Sequence, residues 1–192
     1  MSEVMQQGDV MKLSAQASKL SEALIHTPHH ALLLRFNERG LHASRLVSAG
    51  AQLKDAYVYP QHRAVLEATE RWLKCYFEHQ SAPLPPLEFS ALRPFRQRVL
   101  TALMGVGFGQ LITYRGLAER VGSPKASRAV GCAMASNPLP LIIPCHRVIQ
   151  SSGALGAYSG YGGVETKRLL VEYEAQERTF VEYLSHQRRA EA

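Results

Sequence analysis

Short apolar runs separated by turn residues occupy the first part of the chain. Residues 22–27 and 31–36 are each predicted to be a short strand, with the dipeptide Thr27-Pro28 at the turn between them. Asn37-Glu38-Arg39-Gly40 has the composition of a hairpin turn, so residues 41–47 are predicted to form a third strand. The pattern therefore predicts a small antiparallel sheet.

A helical pattern follows this sheet. From Gln61 to Phe77, one side of the predicted helix collects Val65, Leu66, Trp72, Leu73 and Tyr76, with Thr69 as its one polar member. Residues 81–86 contain too much proline for a helix or a central strand and are predicted to be a linker. The predicted division is an extension that is mobile or partly helical (1–20), an α/β domain (21–80), a linker (81–92), a second domain (93–175) and a tail (176–192).

Three helices are predicted in the first half of the second domain. The first spans residues 94–104, and Thr113 is the predicted N-cap of the next, residues 114–121. Gly122 would end that second helix. The third helix would be capped by Ser123, begin at Pro124 and end near Ala135. Two short helices joined by a glycine-containing turn form a helix-turn-helix, although an ordinary helical hairpin fits the same spacing.

The predicted third helix carries few long side chains. Lys125 and Arg128 lie near its start, where DNA-contacting residues are common. Its remaining face is made of small residues: Ser127, Ala129, Gly131, Cys132, Ala133, Ala135 and Ser136. Because major-groove readers present long polar side chains to base edges, this face favours the minor groove, with Arg128 as the inserted side chain and little dependence on base sequence.

The formal net charge of +6 is concentrated in the second domain. Residues 1–90 contain nine Lys/Arg and nine Asp/Glu, whereas residues 91–173 contain ten Lys/Arg and three Asp/Glu. A surface with this excess favours a polyanionic partner, of which nucleic acid is the commonest.

Composition excludes several other classes of protein. With 46% hydrophobic residues among 192, the chain is expected to be globular. No run is long and apolar enough to span a bilayer, and the polar start is not expected to be a signal peptide. Three widely spaced cysteines favour a reducing, intracellular compartment over a disulfide framework. His26, His29 and His30 cluster without a nearby cysteine, so metal binding there is a minor alternative to loop and strand positions.

The strongest chemical signal lies in residues 141–149. An apolar run, interpreted as a strand, stops at Pro144, and Cys145, His146 and Arg147 follow directly. A thiolate is the nucleophilic form of cysteine, an adjacent imidazole can take its proton, and nearby positive charge stabilises the anion. Most buried cysteines are structural, but base, charge and a proline-fixed turn within nine residues favour a nucleophile here.

Two further segments follow this stretch. Residues 151–163 contain five glycines and two tyrosines, which predicts a loop whose backbone N–H groups can approach a ligand. Residues 164–175 are predicted to form a helix that carries Glu172 and Glu174 in its last turns. A carboxylate that bonds an imidazole fixes its tautomer, and the residues alone leave either glutamate as a surface residue.

These motifs together resemble the O6-alkylguanine-DNA alkyltransferases, the direct-reversal DNA repair proteins. The matching motifs, in order, are Thr113-Tyr114, Ser127-Arg128-Ala129-Val130-Gly131, Asn137-Pro138, Pro144-Cys145-His146-Arg147-Val148 and Tyr158-Ser159-Gly160. The resemblance is strong from about Phe95 to Glu174 and weaker over residues 22–92. It implies an α+β fold, with a ribonuclease H-like N-terminal α/β domain and a mostly helical, winged-helix-like C-terminal domain that carries the helix-turn-helix.

The resemblance implies a role for each matching residue. Cys145 would accept the alkyl group, His146 would deprotonate it through a water, and a glutamate would orient His146. The family's helix pattern, anchored on Lys167, selects Glu174, whereas a straight count from Cys145 selects Glu172; the longer glycine loop favours Glu174. The other expected contacts to the lesion come from Tyr114 (to guanine N3), the Ser159 N–H (to O6), the Cys145 and Val148 carbonyls (to the exocyclic amine), Pro140, Tyr158 and Asn137, which would also brace the turn before Cys145.

On the DNA side, Arg128 would replace the lesion base after it has been flipped out of the duplex. The remaining expected DNA contacts are Thr113, Lys125, Ser127, Ala129, Gly131, Ala135 and Ser136. The expected partner is double-stranded DNA containing O6-alkylguanine, bound by a monomer, with cooperative binding left open. The range of alkyl groups would depend on how Pro140, Tyr158 and Tyr161 pack.

Each molecule is expected to react once, because a thioether does not release its alkyl group. Some family members bind a structural zinc, but this chain has no cysteine before Cys75, so neither a metal nor a cofactor is expected. The expected location is the cytoplasm, at the nucleoid in a bacterium, or the nucleus in a eukaryote. Two alternatives are a cysteine hydrolase that uses Cys145 and His146 and a non-catalytic protein that only binds alkylated DNA.

Overall fold

The computed structural model describes residues 20–28, 30–54 and 56–175 and has a mixed α+β architecture. Its strands are β1 (Ser21–His26), β2 (His30–Asn37), β3 (Gly40–Ser48), β4 (Ile112–Thr113) and β5 (Val148–Ile149). Its α-helices are α1 (Arg63–Phe77), α2 (Pro94–Met104), α3 (Tyr114–Arg120), α4 (Ser127–Ala135) and α5 (Gly163–Ala175), with 3-10 turns at Pro60–His62 and Cys145–Arg147. The α+β class predicted from the sequence is confirmed. The predicted extension and tail lie outside the described residues, apart from residue 20.

The first three strands form an antiparallel sheet in the order β1-β2-β3. Asn37 explains the tight turn between β2 and β3, because its side-chain oxygen accepts the Arg39 N–H at 2.8 Å. Helix α1 packs on the sheet through buried residues at helical spacing: Val65, Thr69, Leu73 and Tyr76. Thr69 is tolerated in this face because its hydroxyl donates to the Val65 carbonyl at 2.7 Å.

The edge of β3 that faces away from β2 is hydrogen-bonded to two segments from elsewhere in the chain. Leu41 exchanges backbone hydrogen bonds with Pro86 and Glu88 of the proline-rich segment, at 2.9 and 2.8 Å. Gly40 allows this approach, because a Cβ there would lie 2.7 Å from the Pro86 backbone. Ser44 bonds the carbonyls of residues 138 and 140 through its N–H and its hydroxyl, at 2.8 and 3.0 Å. The sheet thus supports the loop before Cys145. The division of the chain into two domains stays a prediction.

Helix α4 begins later than the sequence pattern indicated. The predicted cap at Ser123 and first turn at Pro124 are wrong, since Ser123–Ala126 is a separate turn closed by the Ala126 N–H on the Ser123 carbonyl at 2.8 Å. Lys125 therefore precedes the helix. By contrast, Thr113 does cap α3, and its hydroxyl accepts the Gly116 N–H at 2.9 Å.

The apolar run before Cys145 is a buried turn and not the predicted strand. Leu141 has a φ of 74°, and the Ile143 N–H bonds the Leu139 carbonyl at 2.8 Å. Leu141, Ile142 and Ile143 are all buried in the hydrophobic core. Because buried positions favour apolar side chains in a turn as well as in a strand, the apolar pattern does not distinguish the two conformations. The chain then makes the 3-10 turn Cys145–Arg147 and enters β5, which pairs in parallel with β4.

Candidate active site

Cys145 lies at a cavity of about 160 Å³ where three parts of the chain meet. Cys145 is buried, with 4% of its surface exposed. Tyr114 begins α3 on one side, and the glycine-rich loop supplies residues 157–159 on another. The third wall is α4, through Gly131, Met134 and Ala135. The helix-turn-helix and the candidate nucleophile therefore share one cavity.

A side-chain amide holds the sulfur of Cys145. The Asn137 amide nitrogen donates to Cys145 Sγ at 3.1 Å and to the Ile143 carbonyl at 2.8 Å, while its oxygen accepts the Leu139 N–H at 3.1 Å. Burial raises the pKa of the Cys145 thiol, and the Asn137 donor and the Lys167 charge oppose that rise. Asn137 therefore braces the turn and also contacts the sulfur of the candidate nucleophile, a contact that the sequence did not indicate.

His146 is fully buried and bonded to Glu174. The distance from His146 Nε2 to Glu174 Oε1 is 2.8 Å. Arg147 approaches both carboxylate oxygens, through Nε to Oε2 at 2.8 Å and Nη2 to Oε1 at 2.9 Å. Burial alone would raise the pKa of Glu174, but the hydrogen bonds and charges of His146 and Arg147 hold it well below its usual value. Glu174 is thus an ionised carboxylate in the protein interior.

The charge on Glu174 fixes the tautomer of His146. A carboxylate accepts only, so His146 Nε2 carries a hydrogen, and in the neutral ring Nδ1 then has a free lone pair. Nδ1 is buried and has no hydrogen-bond partner among the described residues. The ring is therefore arranged to accept a proton at Nδ1.

Lys167 is a buried cation that the sequence connected only with the helix pattern. Its Nζ donates to the Val148 carbonyl at 2.6 Å and also to the Leu155 carbonyl. It fastens α5 to β5 and to the glycine-rich loop. Burial lowers the pKa of Lys167, while the neighbouring Cys145 charge raises it. The Val148 carbonyl, expected to accept from the lesion base, thus already has a donor within the protein.

Not every residue expected at the lesion lines the cavity. Tyr114, Tyr158 and Ser159 do. Pro140 does not; it is buried, and its carbonyl accepts the Ser44 hydroxyl. Tyr161 is 52% exposed, with its ring edge-on to His30 at a centroid distance of 5.8 Å.

The two glutamates of α5 lie in different surroundings. Glu174 is buried at His146, whereas Glu172 pairs with Arg168 at the surface, at 2.6 Å. Helix spacing explains this, because residues two apart on a helix do not share a face. The structure therefore brings Glu174, and not Glu172, to the histidine.

The exposed face of α4 leads into the cavity. Arg128, Gly131 and Ala135 are spaced i, i+3 and i+7, which places them on one face, and the last two line the cavity. Ala129 and Ser136 are also exposed and Ser127 is half-buried, while Lys125 is exposed in the preceding turn. Thr113 is half-buried and occupied as the cap of α3.

Tyr76 and Gly109 contact the site without any signal in the sequence. The Tyr76 hydroxyl donates to Glu174 Oε1 at 2.8 Å across a separation of 98 residues. The Gly109 N–H donates to Glu174 Oε2 at 3.2 Å, and with φ of 70° its Cβ position lies 2.8 Å from the Glu174 carbonyl, so only glycine fits. Helical spacing identified Tyr76 as a core residue, which it is, but not as a donor.

Within the described residues, no group of three or more metal-ligating side chains comes together. Nor does that part of the chain contain a helix long and apolar enough to cross a membrane.

Comparison with known proteins assigns the family. A family model described as "6-O-methylguanine DNA methyltransferase, DNA binding domain" matches residues 94–176. The mouse (Mus musculus) methylated-DNA–protein-cysteine methyltransferase is 38% identical over 177 residues, covering 83% of each chain. The human (Homo sapiens) protein of the same name is 39% identical over 169 residues, covering 81% of each chain.

Two solved structures have the same fold. Mycobacterium tuberculosis OGT in complex with DNA superposes with a TM-score of 0.65 at 33% identity, covering 79% of this chain and 91% of that one. Mycobacterium tuberculosis O6-methylguanine methyltransferase gives a TM-score of 0.66 at 30% identity, covering 82% and 93%. With identities of 30% or more across most of both chains, this protein belongs to the methylated-DNA–protein-cysteine methyltransferase family.

Proposed function

We propose that this protein repairs DNA by moving an alkyl group from O6-alkylguanine in double-stranded DNA to its own Cys145. The observation that supports this most directly is the position of the sulfur. It is buried at a cavity whose wall is the same helix face that presents Arg128 to solvent. A base that leaves the duplex beside α4 would therefore enter the cavity and meet the sulfur.

The transfer is an in-line displacement in which each residue has one task. The Cys145 proton passes, through a water, to His146 Nδ1, while the Asn137 amide and the Lys167 charge stabilise the developing thiolate. Sγ then bonds to the alkyl carbon, the carbon–O6 bond breaks, and its electron pair stays on the guanine. Glu174 keeps the His146 ring in the required tautomer.

Tyr114 assists the departure of the guanine. Burial, followed by the charge of Cys145, raises the pKa of its phenol, so Tyr114 is protonated and can donate to guanine N3. Ser159 lines the same cavity on the side of the glycine-rich loop, and its N–H would bond O6. Guanine that gains a proton or a hydrogen bond as it departs is a better leaving group than the free guanine anion. The barrier to breaking the carbon–O6 bond is therefore lower.

Access to the lesion requires base flipping. The exposed face of α4 carries mostly small side chains, so it can lie in the minor groove. The base pairs present similar hydrogen-bonding groups there, so binding depends little on base sequence. Arg128 would fill the space left in the duplex and so reduce the cost of extruding the base. Phosphate contacts from the basic second domain, residues 93–175, would supply most of the affinity. The same displacement would also act on O4-alkylthymine, whose alkyl group is likewise carried by an exocyclic oxygen.

The product is a thioether, so one molecule repairs one lesion. The protein acts where chromosomal DNA is: in the cytoplasm at the nucleoid of a bacterium, or in the nucleus of a eukaryote.

Intact mass spectrometry after incubation with duplex DNA containing O6-methylguanine tests the proposal. We expect one methyl group per molecule, located on Cys145 by peptide mapping, with no second turnover. Cys132→Ala is the matched control, because this exposed cysteine also lies close to the DNA face and should be dispensable. Cys145→Ala should bind DNA and remain unmodified. Continued turnover would indicate a hydrolase, and DNA binding without methylation would indicate a lesion-binding protein.

A further inference from the structure

The carboxylate of Glu174 accepts hydrogen bonds from several groups besides His146. Oε1 accepts from three groups: His146 Nε2 at 2.8 Å, the Tyr76 hydroxyl at 2.8 Å and Arg147 Nη2 at 2.9 Å. Oε2 accepts from Arg147 Nε at 2.8 Å and the Gly109 N–H at 3.2 Å. A carboxylate has about four lone-pair directions, so five donors saturate it and fix its plane.

Tyr76 is the member of this set that comes from the N-terminal half of the chain. We propose that Tyr76 is a positioning residue for alkyl transfer, whose hydroxyl, by donating to the oxygen that His146 uses, orients Glu174 and weakens its pull on the His146 proton. The inference rests on the function proposed above. It assigns to α1, otherwise a core helix, a direct part in adjusting the base.

The phenol is held as a rigid donor. Burial, and then the charge of Glu174, raise the pKa of Tyr76 well above its usual value, so its proton stays on the oxygen. Its ring is fixed by aromatic neighbours with centroids 5.1 to 5.8 Å away: Trp72, Phe77, Phe108 and Tyr173. A ring held by such neighbours loses little rotational freedom in making the hydrogen bond.

The effect on His146 follows from sharing one oxygen. Each donor to Oε1 stabilises negative charge there and leaves less of it to attract the hydrogen on His146 Nε2. With Tyr76 in place, Glu174 attracts positive charge on the imidazole less strongly, which leaves Nδ1 available as a base. Without the hydroxyl, the attraction between Glu174 and the imidazole would strengthen, and the transfer rate would begin to rise at a higher pH.

The other groups around the pair do not change in such a variant. Arg147 faces the carboxylate from the 3-10 turn, Tyr158 from the glycine-rich loop and Tyr173 from α5. Cys145 lies on the cavity side, where Lys167 opposes the rise of its pKa. A shift caused by removing one hydroxyl can therefore be assigned to the bond between Tyr76 and Glu174.

The test is the pH dependence of single-turnover alkyl transfer from free O6-benzylguanine to the full chain. Tyr76→Phe removes the hydroxyl and keeps the ring. We expect the acidic limb of the rate profile to move to higher pH by about half a unit or more. Tyr173→Phe is the matched control, since that hydroxyl is also in the aromatic cluster but donates to the Tyr76 carbonyl at 3.1 Å and not to Glu174.

An unmoved limb in Tyr76→Phe, or an equal movement in Tyr173→Phe, would overturn the proposal and leave Tyr76 as a packing residue. If Tyr76→Phe does not fold, a ring-fluorinated tyrosine at position 76 decides the question. Its phenol is a stronger donor of the same shape, so the limb should move to lower pH; no movement would overturn the proposal. Failure of the unmodified protein to take up any benzyl group at Cys145 would instead refute the proposed function.

Discussion

Glu172 and Glu174 provide a matched pair of substitutions on one helix. Glu174→Gln removes the charge of a side chain that is 2% exposed and bonded to Arg147, whereas Glu172→Gln does so where both partners are at least 36% exposed. In the first variant an amide N–H₂ replaces one oxygen and faces groups that themselves donate. The Arg147 cation is also left buried without its counter-charge.

The expected losses of stability differ severalfold. Removing one partner of a buried ion pair costs about 3–5 kcal/mol, while an exposed pair contributes about 0–1 kcal/mol. For a domain of this size, 1 kcal/mol corresponds to about 2–4 °C in melting temperature. We therefore expect Glu174→Gln to melt roughly 6–20 °C below the unmodified protein, and Glu172→Gln to melt within about 4 °C of it.

The pH dependence of this difference has a defined sign. Because the folded-state pKa of Glu174 is lowered, its contribution to stability is fully present above the unfolded-state value of about 4.3. That contribution is lost as the pH falls towards the folded-state value. The gap in unfolding free energy between the unmodified protein and Glu174→Gln should therefore shrink below about pH 4 and stay constant above about pH 5.

Urea denaturation across this pH range measures the gap, and the single-turnover reaction with O6-benzylguanine gives the activity of the same samples. Glu174→Gln should react at least about 100-fold more slowly, since His146 loses the group that fixes its tautomer. Glu172→Gln should react normally. Equal destabilisation by the two substitutions, or normal transfer by Glu174→Gln, would refute the reasoning.

Three further predictions concern the cavity and the DNA face. Arg128→Ala should react slowly with O6-methylguanine in duplex DNA but normally with free O6-benzylguanine, because only the first requires base flipping; equal loss of both rates would remove the flipping role from Arg128. Lys167→Met should slow transfer at neutral pH and move its onset to higher pH, since the Cys145 thiolate loses a stabilising charge; a rate profile identical to that of the unmodified protein would count against this. A Cβ on Gly131 would have no atom within 4 Å. Gly131→Ala should therefore raise the free energy of unfolding by about 0.5–1 kcal/mol, and Gly131→Leu should slow the duplex reaction by filling the cavity wall; thermal melts and duplex rates measure the two effects.

Local chemistry in the sequence was enough to predict much of this protein. Thr113 and Pro94 begin their helices where predicted, because a cap and a proline act on the first turn alone. The hairpin at Asn37–Gly40 likewise depends only on its own residues. Cys145, His146 and Arg147 are consecutive, so the candidate nucleophile, its base and a nearby cation could be recognised without a fold.

The start of α4 and the conformation of residues 141–143 required the tertiary structure. Ser123 and Pro124 have the composition of a helix start, yet they form a separate turn that precedes the helix. The run Leu141–Ile143 is apolar because it is buried, and burial makes a turn and a strand look alike in the sequence.

The resemblance selected Glu174 as the partner of His146, but its other surroundings were decided by the fold. Its histidine lies 28 residues away and its tyrosine 98, and each of these contacts is set by how α5 packs against the 3-10 turn and α1. Spacing along the chain determines which side chains share a face of one helix or strand. Which faces meet is determined by the packing of the whole core, and that is where the donors to Glu174 come together.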